Sequence, residues 1–279
     1  GEILADPDVN SMYPSFIVEY GVSPHHLSSK VFLGIVEWLR TTRLDAKHSG
    51  RKLEADALKI VINRIYGALN DAMDYLYDPE CTYTVTINLQ LLLCNLIEAF
   101  ELNNFDVLSA NTDGLLVRLP ISRKDTFEHI CKEWEDYSKL TLETEKFEKY
   151  CRSAVNDYIA VGYGFYDALQ EYNRCGVWID SKNNTYTTRQ AIEDKFIKFK
   201  GYFLQDPEYN KGFVYPVVKK ALKEYFLYGV DITEFIKNYI NTSRTAIYDY
   251  CFSQKVAGKY TTIYKTVRDG KPVYIKCQK

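Results

Sequence analysis

The sequence predicts an α+β fold, and three observations carry that expectation. An apolar, strand-like entry runs from Gly1 to Ala5 and leads to Asp8. A strand–turn–strand, "DVLSANTDGLLVRLP" (106–120), turns tightly at Asn111–Gly114. Between and after these segments lie long stretches of helical periodicity.

The elements follow in order. Residues 2–5 read as a buried strand. Residues 28–48 have helical spacing in Val31, Ile35, Val36, Trp38 and Leu39, with Ser28 or Ser29 available as cap. Gly50, in "HSGRK" (48–52), supplies a turn, and a second helix covers 53–71. The two helices make an antiparallel hairpin carrying Arg40, Arg43, Lys47, Arg51, Lys52, Lys59 and Arg64. Residues 82–102 read as a long, mostly buried helix despite a β-branched start, and 124–137 as another helix. "DYIAVGYGFYDAL" (157–169) reads as a strand and turn, and 172–189 as a hairpin with Asn183-Asn184 at its tip. An amphipathic helix over 215–229 ends at Gly229, and Asp231 or Thr233 opens a helix over 231–243. The tail, 252–279, alternates like strands around Asp269-Gly270. There is no repeat and no low-complexity tract.

A chain of 279 residues accommodates two or three subdomains. The seven cysteines (81, 94, 131, 151, 175, 251, 277) form no CxxC pair, and the four histidines (25, 26, 48, 129) are not near them. A zinc site is therefore not expected; reduced cysteines in a cytoplasmic protein are. No apolar run reaches 18 residues and no signal peptide is visible, so no membrane partner is expected. The chain begins with Gly and its first residues already read as a strand, as a fragment, a processed product or half of a split protein would. The net charge of −2 excludes a simple polycationic DNA binder but hides an asymmetry. Residues 195–279 carry 16 Lys+Arg against 7 Asp+Glu, a net +9, leaving −11 for the first 194. Such segregation fits an acidic half that holds cations and a basic half that faces a polyanion.

Two acids stand out, Asp8 after a strand and Asp113 in a strand–turn–strand. Two carboxylates at adjacent strand ends make a hard oxygen site suited to Mg²⁺. A pair of such ions can clamp the attacking and leaving oxygens of a phosphoryl transfer. A single acid in a turn is more often a cap or turn former, so the surrounding strings decide. "DVNSMYPS" (8–15) resembles the first palm motif of the family B DNA polymerases, D-x-x-S-L-Y-P-S. "KIVINRIYG" (59–67) is similar to their fingers motif, K-x-x-x-N-S-x-Y-G, with Arg64 in place of serine. "ANTDG" (110–114) is similar to their Y-G-D-T-D-S turn. The order matches, and the spacing fits a fingers hairpin inserted between two palm acids. "RLDAK" (43–47), "LETEKFEKY" (142–150) and "KFKG" (198–201) resemble further family strings, so the likeness covers nearly the whole chain.

The resemblance implies a right-hand architecture: an antiparallel-sheet palm, a two-helix fingers hairpin and a mixed, mainly helical thumb. It assigns 1–22 and 68–197 to palm, 23–67 to fingers and 198–279 to thumb. It implies template-directed addition of dNTPs to a primer 3′-hydroxyl with two Mg²⁺ ions, Mn²⁺ being the expected substitute. Asp8, the Val9 carbonyl and Asp113 would ligate metal. Ser11 and Met12 would wrap the triphosphate, and Tyr13, followed by the φ-locked Pro14, would exclude a 2′-hydroxyl. Lys59, Asn63 and Tyr66, at i, i+4 and i+7, would share one helix face. Lys59 would neutralise the leaving pyrophosphate, while Asn63 and Tyr66 would meet the nascent base pair. Arg43 and Lys47 would reach the β- and γ-phosphates. Gly67, Thr112, Tyr158, Lys198 and Lys200 would meet primer–template DNA, aided by thumb lysines 219, 220 and 223.

Asn111 and Glu145 are auxiliary positions. Asn111 stands where the family turn has its first aspartate, and "VNDYIA" (155–160) keeps Tyr158 but loses the family's lysines. These departures support an alternative, a catalytically weakened module that binds primer–template DNA within a larger replication assembly. A third reading, another two-metal enzyme such as a nuclease, requires neither Tyr13 nor the Asn63/Tyr66 face. No exonuclease constellation is visible, so a separate chain or upstream segment is the expected partner for proofreading. Compact fingers and missing motif elements suggest a viral source and hence the host cytoplasm.

Overall fold

The computed structural model describes residues 1–154, 156–201, 215–251, 262–268 and 271–277. Val155 of the "VNDYIA" string and, of the expected strand-like tail, residues 252–261, the turn at 269–270 and residues 278–279 lie outside the described residues. The chain divides into two compact units: residues 1–151 with 160–198, and residues 152–159 with 199–279.

The α+β expectation is met by a six-stranded sheet in the order β2-β3-β1-β4-β5-β8. Its strands are β1 (Glu2–Val9), β2 (Asp106–Ala110), β3 (Leu115–Pro120), β4 (Leu142–Ala154), β5 (Asp157–Gly162) and β8 (Ile197–Lys200). β1 pairs antiparallel with β3 and β4, and β2 with β3. The strand expected to stop near Ala5 runs on through Asp8, although "DPD" is poor strand sequence. The long β4 faces it residue for residue up to Val9↔Leu142, and paired neighbours override local propensity. Alternation then sorts its side chains: Ala5, Pro7 and Val9 are buried, while Asp6 and Asp8 turn to the other face.

Directly after β1 comes a short helix that the sequence pattern did not reveal, α1 (Met12–Glu19). Ser11 enters it with φ 51°. Pro14 falls in its first turn, where a missing N–H removes no helix bond. α2 (Ser29–His48) and α3 (Lys52–Leu69) form the expected hairpin. Gly50 reverses the chain between them at φ 72°, a conformation glycine adopts without steric cost. On α2 the apolar stripe is divided. Phe32, Val36 and Leu39 are buried, whereas Val31, Ile35 and Trp38 are exposed.

α4 (Pro79–Leu102) is capped by the Asp78 carboxylate, which accepts from the Cys81 amide. It is long and apolar enough to cross a membrane by length and composition. Val85, Leu89, Leu93, Leu96 and Phe100 instead bury one face in the core, beside Phe16, Phe105, Phe127 and Trp134. The helix is less buried than its sequence suggests: Tyr83, Ile87 and Leu91 are exposed on its other face. α5 (Lys124–Ser138) packs against α4, and the Trp134 indole donates to the Leu92 carbonyl at 2.9 Å.

The stretch 157–169 is a strand only to Gly162; α6 (Phe165–Cys175) follows. β6 (Trp178–Ile179) and β7 (Thr185–Tyr186) make the expected hairpin, with Asn183 at φ 63° near its tip. α7 (Arg189–Phe196), absent from the sequence reading, is opened by the Thr188 side chain. In the second unit, α8 (Pro216–Tyr228) ends at Gly229, φ 71°, and Asp231 caps α9 (Ile232–Tyr239) by accepting from the Glu234 amide. Lys220 there reaches Tyr239 Oη at 2.5 Å and Asp249 Oδ2 at 2.6 Å. β9 (Thr262–Arg268) and β10 (Lys271–Cys277) pair antiparallel.

Candidate active site

The β1–β4 register builds an acidic surface from two unremarkable strings. Asp6 stands opposite Glu145 and Asp8 opposite Glu143. Like charges directly across an antiparallel pair are destabilising, and the two glutamates of this face are each met by a lysine, Glu143 by Lys47 and Glu145 by Lys198. The β2–β3 turn adds a fifth acid. The Val9 amide donates to the Asp113 carbonyl at 2.7 Å, and Asp8 bridges Gly114. These backbone contacts bring Asp113 to Asp8 across about a hundred residues of sequence.

Gly114 permits that approach. A Cβ there would lie 2.9 Å from Asp8 Oδ1, 3.0 Å from the Pro7 carbonyl and 3.2 Å from Asp8 Cα. Asn111 shapes the same turn. Its Oδ1 accepts from the Asp113 amide at 3.1 Å and the Gly114 amide at 2.6 Å, an Asx turn that holds the acid in place. The side chain at the departing motif position is thus a turn former.

Burial pushes the Asp8 carboxyl up to about 7, and Asp113, Asp6, Glu145 and Glu143 push it the same way. Its Oδ1 is buried with no hydrogen-bond partner among the described residues. A buried carboxylate oxygen without a proton donor, ringed by four other acids, has the donor chemistry of a hard divalent-cation site. Mg²⁺ fits these residues.

Asp8 also lines a cavity of about 290 Å³. Val9, Ser11, Met12 and Tyr13 line it along the β1–α1 corner, where the first helical amides of α1 have no intrahelical partner. Arg43 and Lys47 of α2, with Lys59 and Asn63 of α3, line it from the helical hairpin; Asp8, Asp113 and Glu143 supply the acids. Arg43 donates to Ser11 Oγ, and Lys47 Nζ pairs with Glu143 Oε2 at 2.7 Å. Among the described residues, Lys59 forms no ion pair.

Other expected residues stand elsewhere. Tyr66 does not line the cavity. Its ring stacks on Tyr13 at 4.0 Å and 12°, and its hydroxyl meets Thr86 Oγ1 at 2.6 Å, so it backs the Tyr13 ring. Gly67 is exposed, with open space where a Cβ would project. Thr112 is exposed on the turn. Glu145 pairs with Lys198. In the second unit, the Lys200 ammonium lies 5.7 Å from the Tyr158 ring centroid. Arg64, which replaces the motif serine, faces away and clamps Asp71 (3.2 Å) and Asp74 (2.9 Å) of the following loop.

Glu143 was not singled out in the sequence. Its signal was the alternation of "LETE": once the strand is recognised and Glu145 lies opposite Asp6, Glu143 must lie opposite Asp8. Asn10 and Ile62 also line the cavity without having been expected there.

No protein-family model matches the chain. The chain is 28% identical over 181 residues to a DNA polymerase of Thermococcus gorgonarius, covering 51% of this chain and 23% of that protein. It is also 28% identical over 182 residues to a DNA polymerase of Thermococcus sp. (strain 9oN-7), covering 50% and 23%. The chain therefore spans about a quarter of the length of these curated relatives. Among solved structures, the family B DNA polymerase of the hyperthermophilic archaeon Pyrobaculum calidifontis overlaps 58% of this chain and 26% of its own, at TM-score 0.44 and 18% identity. The chain is similar to DNA polymerases. The likeness to DNA polymerases that the motifs carry is borne out by these two relatives.

Proposed function

We propose that the chain catalyses template-directed DNA synthesis, with residues 23–67 as fingers over a palm built on β1–β4. The observation that carries this reading is the 290 Å³ cavity, lined by Asp8 and Asp113 together with Arg43, Lys47 and Lys59. A triphosphate is a polyanion that needs divalent cations at one end and fixed cations along its length.

In the reaction, the primer 3′-hydroxyl attacks the dNTP α-phosphorus. The bond to the bridging oxygen breaks, and pyrophosphate leaves. Two Mg²⁺ ions held by Asp8 and Asp113, with the Val9 carbonyl as a further donor, would neutralise charge on the reacting phosphate oxygens. Arg43 and Lys47 hold the β- and γ-phosphates, Lys47 exchanging its Glu143 partner for the nucleotide. Lys59 meets the charge that develops on pyrophosphate. The amides of Ser11 and Met12 meet phosphate oxygens at the α1 N-terminus. Tyr13, held flat by Tyr66, lies under the sugar and disfavours a 2′-hydroxyl. Tyr158, Lys198 and Lys200 grip primer–template phosphates without reading sequence.

Asn111 spends its side-chain oxygen inside the turn, so its replacement of an aspartate does not by itself favour the weakened-module reading. The discriminating experiment is primer extension with dNTPs or NTPs, with and without Mg²⁺, on wild type, Asp8→Ala and Asp113→Asn. Expected are Mg²⁺-dependent incorporation of dNTPs and its loss in both variants, with DNA binding retained. Unchanged extension in either variant would sink the proposal; strand cutting without dNTPs would mark a nuclease.

A further inference from the structure

A second group of ligand-type side chains shares no residue with that cavity. His25, on the loop between α1 and α2, meets Asp78 and Cys81 at the first turn of α4. A ring nitrogen, a carboxylate oxygen and the Cys81 sulfur all lie within 4.8 Å of one another. His25 and Cys81 are 56 positions apart in sequence, and only the fold joins them.

Capping α4 requires one oxygen of Asp78, Oδ1, which accepts from the Cys81 amide at 3.1 Å. The arrangement exceeds that need. Asp78 Oδ2 accepts from the His25 amide at 2.9 Å and stands 2.9 Å from His25 Nδ1. The imidazole is thereby turned toward a carboxylate on one side, and its Nε2 lies 3.9 Å from Glu80 Oε2 on the other. A cavity of about 420 Å³ borders His25, Glu80 and Cys81 and gives a route for entry.

We propose that His25, Asp78 and Cys81 form a site for a borderline-soft divalent cation, Zn²⁺ foremost, with the fourth position left to water or Glu80. One imidazole, one carboxylate and one thiolate make a donor set that suits zinc and disfavours Mg²⁺, whose ligands are oxygens. Bonds of about 2.0–2.3 Å in a tetrahedron place ligand atoms roughly 3.5 Å apart. The His25 Nδ1–Asp78 Oδ2 pair, at 2.9 Å, must therefore open a little while separations of up to 4.8 Å close by about an ångström, and the exposed His25 ring can move that far. Asp78 and Cys81 are fixed by the helix. The α4 N-terminus opposes a cation with roughly half a charge; a carboxylate and a thiolate outweigh it. Binding displaces the thiol proton and the proton held between His25 and Asp78, which leave to solvent. The ion would tie the entry of the α2–α3 hairpin to the core helix. This site is independent of the polymerase reading.

The test is Co²⁺ titration of the full chain in excess Mg²⁺, followed by the thiolate-to-cobalt charge-transfer absorption. Expected are 1:1 binding, displacement by Zn²⁺, loss of the band in Cys81→Ser, and at least roughly tenfold weaker binding in His25→Ala. His25 is exposed, so that variant folds even where the buried Cys81 change destabilises, and far-ultraviolet circular dichroism verifies it. Zn²⁺ should raise the melting temperature of wild type and not of His25→Ala. No thiolate band, a band unchanged in Cys81→Ser, or undiminished affinity in His25→Ala would overturn the proposal.

Discussion

Asp8 and Asp180 are both acids set among polar neighbours in the same compact unit, and they are treated in opposite ways. Asp180 is saturated. Its Oδ1 accepts from the amides of Lys182 (2.9 Å) and Asn184 (2.8 Å). Its Oδ2 meets Asn184 Nδ2 at 3.0 Å, Tyr186 Oη at 3.2 Å and the Lys195 ammonium. Those donors, Lys195 first, hold its carboxyl well below the usual range, and Lys195 is itself packed 4.8 Å from the Trp178 and Tyr186 ring centroids. Asp8 has a buried oxygen with no donor among the described residues and four acids around it. A satisfied acid is part of the scaffold. An unpaired buried polar group costs stability, and at Asp8 the proposed reading assigns that cost to holding a metal ion.

The sharpest way to break this contrast is to neutralise the second acid at the cavity. On the proposed reading, Asp113→Asn should lower primer extension on the order of a thousandfold, since loss of the metal ligand assigned there would remove several kcal/mol of transition-state stabilisation. Gly114→Ala keeps every acid but forces a Cβ against Asp8 and the Pro7 carbonyl. Misplacement of that kind should reduce extension on the order of a hundredfold, read in the same assay, while the melting temperature falls only slightly. At the saturated acid the effects should invert. Asp180→Ala leaves Lys195 and the hairpin amides without their acceptor, so the melting temperature should drop by several degrees while extension at low temperature persists. Loss of extension there at full stability would break the comparison.

A smaller, pH-dependent effect follows from Asp8 alone. Its folded pKa of about 7 lies above the ordinary 3.8, so the folded state holds the extra proton between those values. Stability then falls as pH rises from about 4 through about 7 and levels off above. In chelator, Asp8→Asn should melt above wild type at pH 8, with the gap closing toward pH 4. A gap independent of pH would remove the strain assigned to this site. The smallest effect belongs to Asn111→Asp. A carboxylate oxygen can accept the same two amide bonds, so the turn should persist and extension stay close to wild type. A large loss would show that the amide does more than shape the turn.

How far these features could be read in advance depends on how local their causes are. Gly50 and Gly229, which reverse and end helices at positive φ, were legible because a missing Cβ acts within its own turn. The α2–α3 hairpin and the cap at Asp231 involve neighbours a few residues apart; the cap at Asp78 was missed, and α4 was expected to start only at Thr82. Asp8, Asp113, Arg43, Lys47, Lys59 and Asn63 were legible from motif strings, and they line one cavity. Three helices were hidden. In α1, a proline and a left-handed serine masked the start; α7 carried a weak apolar pattern, and the amphipathic α6 was hidden by the strand signal that directly precedes it. Tyr66 shares a helix face with Asn63 by spacing, yet the nearby Tyr13 ring captured it.

The sequence by itself determined the α+β class, the helical hairpin and its cations, and the identity of the two acids worth pairing. Tertiary structure alone decided that Glu143 rather than Glu145 lines the cavity, that Asp8 keeps an unsatisfied oxygen, and that His25 reaches Cys81. The physical reason is range. Helix caps and glycine turns depend on atoms a few residues apart. Strand register and loop docking depend on partners more than fifty positions away, chosen by the packing of the whole core.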